Sequence, residues 1–152
     1  MFRRDVLLYV DDDEGFADLL KHTLAQGHFH HKLIHVTDGE QAIAYLQGEG
    51  KYADREVYPL PSVVLLDLKM PRKNGFEVLE WIRKQSPFPY LPVIVLTVSE
   101  ELRDVNKAYQ LGTNSFLVKP PKVADLRQVM QTIESYWMHL NVGGHSGRRF
   151  LS

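Results

Sequence analysis

The chain contains no cysteine among its 152 residues. That absence excludes a disulfide framework, thiolate metal sites and a cysteine nucleophile, and it fits a reducing, cytoplasmic setting. Long apolar runs are also missing, and none approaches the roughly 20 residues that a bilayer-spanning helix needs. The opening Met1-Phe2-Arg3-Arg4-Asp5 turns acidic too early for a secretory signal. Charge of one sign is lacking as well: the net charge is −1, with neither a basic stripe nor an acidic tail, so neither nucleic acid nor membrane is expected as a partner. What remains is a chain 44% hydrophobic and 24% charged, enough for one domain and its core. No internal repeat is present.

Apolar runs alternate with segments of helical period, the pattern of an α/β parallel sheet covered on both faces. Strands are expected at Asp5 to Val10, Lys32 to His35, Val63 to Leu66, Val93 to Leu96 and Ser115 to Val118. Between them run the helical stripes Phe16-Leu19-Leu20-Leu24, Ala42-Ile43-Leu46, Phe76-Val78-Leu79-Ile82 and Val105-Ala108-Tyr109-Leu111. A last stripe, Leu126, Val129, Met130, Ile133, Trp137 and Leu140, falls on one face of a fifth helix. Gly48 to Pro61 has no period and reads as a loop, longer than ordinary connections and therefore an insertion. The expected division is a domain over 1–141 and a flexible tail over 142–152.

The chemistry gathers at the strand ends. The first strand runs straight into Asp11-Asp12-Asp13, and the third into Asp67. In a parallel sheet with right-handed crossovers these ends share one edge, where ligands bind. Two like charges at ~4 Å repel by about 4 kcal/mol at an effective dielectric of 20, so Asp11, Asp12 and Asp67 together demand a cation, read here as magnesium. The same edge receives Thr97 after the fourth strand and Lys119-Pro120 after the fifth. A carboxylate nucleophile, a metal held by acids, a hydroxyl donor and a fixed cation are what phosphoryl transfer to a carboxylate requires.

These motifs in this order resemble the response-regulator receiver family of two-component signalling. The resemblance rests on Val10-Asp11-Asp12, Leu66-Asp67-Leu68-Lys69-Met70-Pro71 with Asn74-Gly75, Val93-Ile94-Val95-Leu96-Thr97 and Phe116-Leu117-Val118-Lys119-Pro120. It implies a flavodoxin-like sheet of order 2-1-3-4-5, with Asp67 as phosphoacceptor. It further implies magnesium (Mg2+) held by Asp12 directly, by Asp67, by Asp11 through a water and by the Lys69 backbone carbonyl. Thr97 and Lys119 then hold phosphoryl oxygens, Phe116 stands where the family has its aromatic switch residue, and the Lys119-Pro120 bond is expected to be cis. Val98, where the family usually has a small residue, should narrow access to the acceptor.

The chain stops shortly after the fifth helix and is read as a stand-alone receiver. With the insertion, Asp38-Gly39-Glu40-Gln41-Ala42 and Ser135-Tyr136-Trp137, it is similar to the small regulators paired with phytochrome-type histidine kinases. The expected partner is such a kinase. Output would come from a changed protein-binding surface or from passing phosphate onward in a relay. The apolar residues at the end of the fifth helix suggest a homodimer through the fourth and fifth helices and last strand; the alternative is that this end folds onto the first helix. A haloacid-dehalogenase-type phosphatase is disfavoured because the second acid it needs is replaced by Lys69, and a flavin carrier because the first strand leads into acids. The histidines His22, His28, His30, His31 and His35 are read as solvated polar residues with no carboxylate beside the loop that holds most of them.

Overall fold

The computed structural model describes residues 6–27, 29 and 31–141. The expected tail, with Arg148-Arg149, and His28 and His30 lie outside the described residues. Five parallel strands, β1 (Val6–Val10), β2 (Lys32–Val36), β3 (Val63–Leu66), β4 (Val93–Thr97) and β5 (Ser115–Val118), form one sheet in the order β2-β1-β3-β4-β5. The helices are α1 (Glu14–Gln26), α2 (Gly39–Gln47), α3 (Gly75–Lys84), α4 (Leu102–Gln110) and α5 (Val123–Ile133).

Strand periodicity decides which helices cover which face. On β1 and β3, Leu8, Val10, Val64 and Leu66 point to one side, where they pack with Ala42, Tyr45 and Leu46 of α2 and Val78, Leu79 and Ile82 of α3. Leu7, Tyr9, Val63 and Leu65 point to the other, against Ala17 and Leu20 of α1 and Leu126, Met130 and Ile133 of α5. Both faces of the central strands are therefore buried, which explains their unbroken apolar sequences.

Three helices start on side chains that satisfy their free amides. Asp13 accepts from Phe16 N, Asp38 from Gln41 N, and Asn74 forms a capping box with Glu77. The third aspartate of the Asp11-Asp12-Asp13 run is thus a helix cap.

Three expectations change. The stripe on the fifth helix does not continue to Leu140, because Glu134–Leu140 wind as a π-helix. Wider winding shifts the inward position: Met138 enters the core at 5% exposure, whereas Leu140 is 73% exposed and Tyr136 lies on the surface. The insertion, in turn, is built rather than loose. It contains a 3-10 turn, Gly50–Ala53, whose Tyr52 packs with Tyr45 and Tyr58, and Arg55 donates to the α2 carbonyls of Tyr45 and Leu46. Tyr45 closes it with a 2.6 Å bond to the Pro59 carbonyl. The Lys119-Pro120 bond is trans, not cis.

Candidate functional site

Parallel register brings the ends of β1 and β3 side by side, with Val10 opposite Leu66. The next residues are Asp11 and Asp67, and Asp67 N donates to Val10 O at 2.9 Å. One carboxylate oxygen from each of Asp11, Asp12 and Asp67 falls within a group no wider than 4.8 Å. Asp11 and Asp67 are buried and Asp12 is exposed, so the cluster opens to solvent on the Asp12 side.

Lys119, at the end of β5, reaches across this edge. Its Nζ lies 2.6 Å from Asp11 Oδ2 and 3.7 Å from Asp67 Oδ2, so at rest it belongs to Asp11. Its ammonium also sits 4.6 Å from the centre of the Phe16 ring. Asp11 receives two further donors, Asp13 N at 2.9 Å on Oδ1 and the Tyr9 hydroxyl on Oδ2. Burial first, and then the bond to Asp11, push the Tyr9 phenol above its ordinary range, which keeps it a donor.

Asp67 is less well compensated. Its Oδ1 accepts from Leu68 N at 2.9 Å. Burial raises its pKa to about 6, opposed by Lys119 and reinforced by Asp11. Thr97 is fully buried at the end of β4, and its hydroxyl makes no hydrogen bond of ordinary geometry. It nevertheless lies near enough to Asp67 to hold that acid's pKa down somewhat, and a buried donor without a full hydrogen bond is a group that a ligand can satisfy.

The loop after Asp67 is held tightly. Gly75 packs so close that a Cβ there would lie 2.1 Å from the Asp67 carbonyl oxygen. Arg72, at a left-handed φ of 64°, donates through Nη2 to Asp38 Oδ2 at 2.7 Å, and Gly39 N donates to Lys73 O at 3.2 Å. The segment carrying Lys69 is thereby tied to the start of α2. The Lys69 side chain is exposed, which leaves its backbone as the group it could present to the site. Phe116 is half-buried and packs with Leu68, Val95 and Ala108, while Val98 stands 69% exposed.

The sequence reading missed Tyr9, Phe16, His35 and the Asp38–Arg72 pair. The first had a signal: residues two apart on a strand share a face, so Tyr9 had to lie beside Asp11. His35 and His31 are not simply solvated. The ring of His35 stacks on Tyr9 and its Nε2 lies 2.8 Å from the Asp11 carbonyl oxygen. His31 is buried 3.6 Å from Glu134, so a carboxylate does accompany it, delivered from the distant C-terminal helix.

The donor set suits a hard divalent cation, for which carboxylates, a carbonyl and water are the preferred ligands. An α/β sheet of this order with an acidic cluster at its carboxyl edge defines a receiver. Residues 7–131 match the response regulator receiver domain family, and the chain belongs to it. It is 38% identical over 133 residues to the response regulator Rcp1 of Synechocystis sp. (strain ATCC 27184 / PCC 6803 / Kazusa), covering 88% of each protein. The crystal structure of the Mn(2+)-bound form of Rcp1 superposes with a TM-score of 0.80 at 36% identity, over 93% of this chain and 99% of that one. The phosphorylated cyanobacterial phytochrome response regulator RcpA superposes with a TM-score of 0.84 at 31% identity, over 94% and 100%.

Proposed function

We propose that Asp67 accepts a phosphoryl group from a phosphohistidine of a sensor kinase, in a magnesium-dependent reaction. The observation that carries this reading is the convergence on Asp67 of Lys119, the buried Thr97 hydroxyl and two further carboxylates. An Asp67 carboxylate oxygen attacks phosphorus, the P–N bond breaks, and the electron pair leaves with the imidazole nitrogen, which then takes a proton. Lys119 and Thr97 meet the charge on the equatorial oxygens. Asp12, Asp67 and the Lys69 carbonyl would hold magnesium, with Asp11 reaching it through water. When bound, the ion offsets the repulsion among the acids and polarises the phosphoryl oxygens. A pKa of about 6 leaves Asp67 mostly ionised, and hence nucleophilic, above pH 7.

Support for a phytochrome-type kinase as partner comes from the likeness to RcpA, a phytochrome response regulator. Val98, exposed and next to Thr97 in the chain, would restrict small phosphodonors. Labelling with acetyl phosphate or phosphorylated kinase in magnesium, followed by mass spectrometry, should locate the phosphate on Asp67. An Asp67→Asn variant labelled as strongly as wild type would sink the assignment.

A second copy of the chain is the proposed partner for the surface of α4, β5 and α5. Leu102 (72%), Tyr109, Val118, Val123, Tyr136 and Leu140 are all exposed there or nearby. A groove on the β5 and α5 side is lined in part by Leu117, Val129, Ile133 and Trp137. So much apolar area near one edge favours association. Phe116, which packs with Leu68, Val95 and Ala108, would transmit a movement of Thr97 to that surface.

A further inference from the structure

The Tyr9 hydroxyl donates to Asp11, and the phosphoryl-transfer scheme gives it no part. Its surroundings fix it in place. The Tyr9 ring is held between His35, stacked at 5.6 Å and 28°, and Phe16, at 6.4 Å and 47°. His35 is anchored in turn by Nε2 on the Asp11 carbonyl oxygen at 2.8 Å. Tyr9 itself has no exposed surface, so its hydroxyl cannot turn to water.

The resting position of Lys119 sets the problem that this hydroxyl solves. The ammonium is 2.6 Å from Asp11 and 3.7 Å from Asp67, yet a phosphoryl group on Asp67 needs it. When Lys119 moves, Asp11, with none of its surface exposed, loses the cation on Oδ2. A buried carboxylate stripped of its partner is strongly disfavoured unless other donors remain. Two protein donors do remain, Asp13 N on Oδ1 and Tyr9 on Oδ2.

We infer that Tyr9 is a positioning residue for phosphoryl binding: its hydroxyl keeps Asp11 satisfied and oriented while Lys119 transfers from Asp11 to the phosphoryl oxygens. The inference rests on the reading of Asp67 as phosphoacceptor. Without the hydroxyl, Lys119 becomes the sole protein donor to Asp11 Oδ2 and is held there more firmly. The Phe16 face, 4.6 Å from the ammonium, gives the moving charge an aromatic surface near its path.

Tyr9→Phe removes the hydroxyl and keeps the ring between its neighbours. In saturating magnesium, the affinity for beryllofluoride, a phosphoryl mimic followed by 19F NMR, should fall about tenfold. Affinity for magnesium alone, measured without the mimic, should change less than about threefold. A purely structural role would instead lower both affinities together. Should the variant fold poorly, the wild type supplies a second measurement. Its Tyr9 hydroxyl proton should stay protected from exchange after beryllofluoride binds. Equal mimic affinity in both proteins, parallel loss of magnesium and mimic affinity, or an unprotected Tyr9 hydroxyl in the mimic complex would each overturn the inference. A wild type that binds no beryllofluoride in magnesium would overturn the reading of Asp67 beneath it.

Discussion

Neutralising Asp67 should stabilise the metal-free protein, and by an amount that depends on pH. The Asp67 pKa rises from 3.8 to about 6 because burial and Asp11 outweigh Lys119. A folded-state pKa above the unfolded value means that the folded form prefers the protonated acid. That preference contributes fully below pH 3.8 and is lost as pH climbs through about 6. At ~1.4 kcal/mol per unit, a shift of about two units sets a ceiling of ~3 kcal/mol on the cost of carrying the charge at pH 7.5. Asp67→Asn keeps the acceptor for Leu68 N but removes the charge, so it escapes this cost. For a chain of this size ~1 kcal/mol corresponds to about 2–4 °C, which places the largest gain in Tm near 6–12 °C. The assay is thermal unfolding of both proteins in chelator at pH 4.5 and 7.5, then in magnesium at pH 7.5. The difference should be small at the lower pH, large at the higher one, and reduced in magnesium, where ion binding stabilises the wild type. A variant that melts at or below wild type at pH 7.5 in chelator, or by the same margin at both pH values, would refute the reasoning.

Two other substitutions probe the frame and the surface. Gly75→Ala should cost about 1–3 kcal/mol or more in a urea titration, because the added Cβ would lie 2.1 Å from the Asp67 carbonyl oxygen and that backbone cannot yield without moving the acceptor; stability equal to wild type would show that the loop is softer than argued. Leu140→Glu, at a side chain 73% exposed, should give a folded monomer still labelled at Asp67, whereas half-buried Trp137 is a poorer choice because its loss would also damage the core. Sedimentation of the wild type as a monomer at high concentration, with and without beryllofluoride, would remove the dimer.

Much of the fold was legible because its determinants are local. The runs at β1, β3 and β4 are apolar on both faces, which only a sheet covered on each side can bury, and each ends in a residue that must then emerge at the same edge. Strand bounds came within a residue wherever the strands are described, and the acids, Thr97 and Lys119 lie together where the alternation of strands and helices put them. The end of the fifth helix was misjudged for a physical reason: a period of 3.6 extrapolated from Leu126 to Leu140 cannot anticipate a change to π winding, which exchanges Met138 for Leu140 at the core.

What the sequence by itself determined is the set of elements, their order and the chemical character of one edge, since strand alternation, helix period and caps depend on neighbours in the chain. Only the tertiary structure decided which donor each buried acid obtains. Lys119 rests on Asp11 across 108 positions of sequence, Arg72 ties the acceptor loop to Asp38, and Glu134 comes to lie beside His31. Such pairings depend on register and packing between distant segments. A displacement of an ångström or so, invisible in any local pattern, decides whether a charged donor is bonded to one carboxylate or waits beside another.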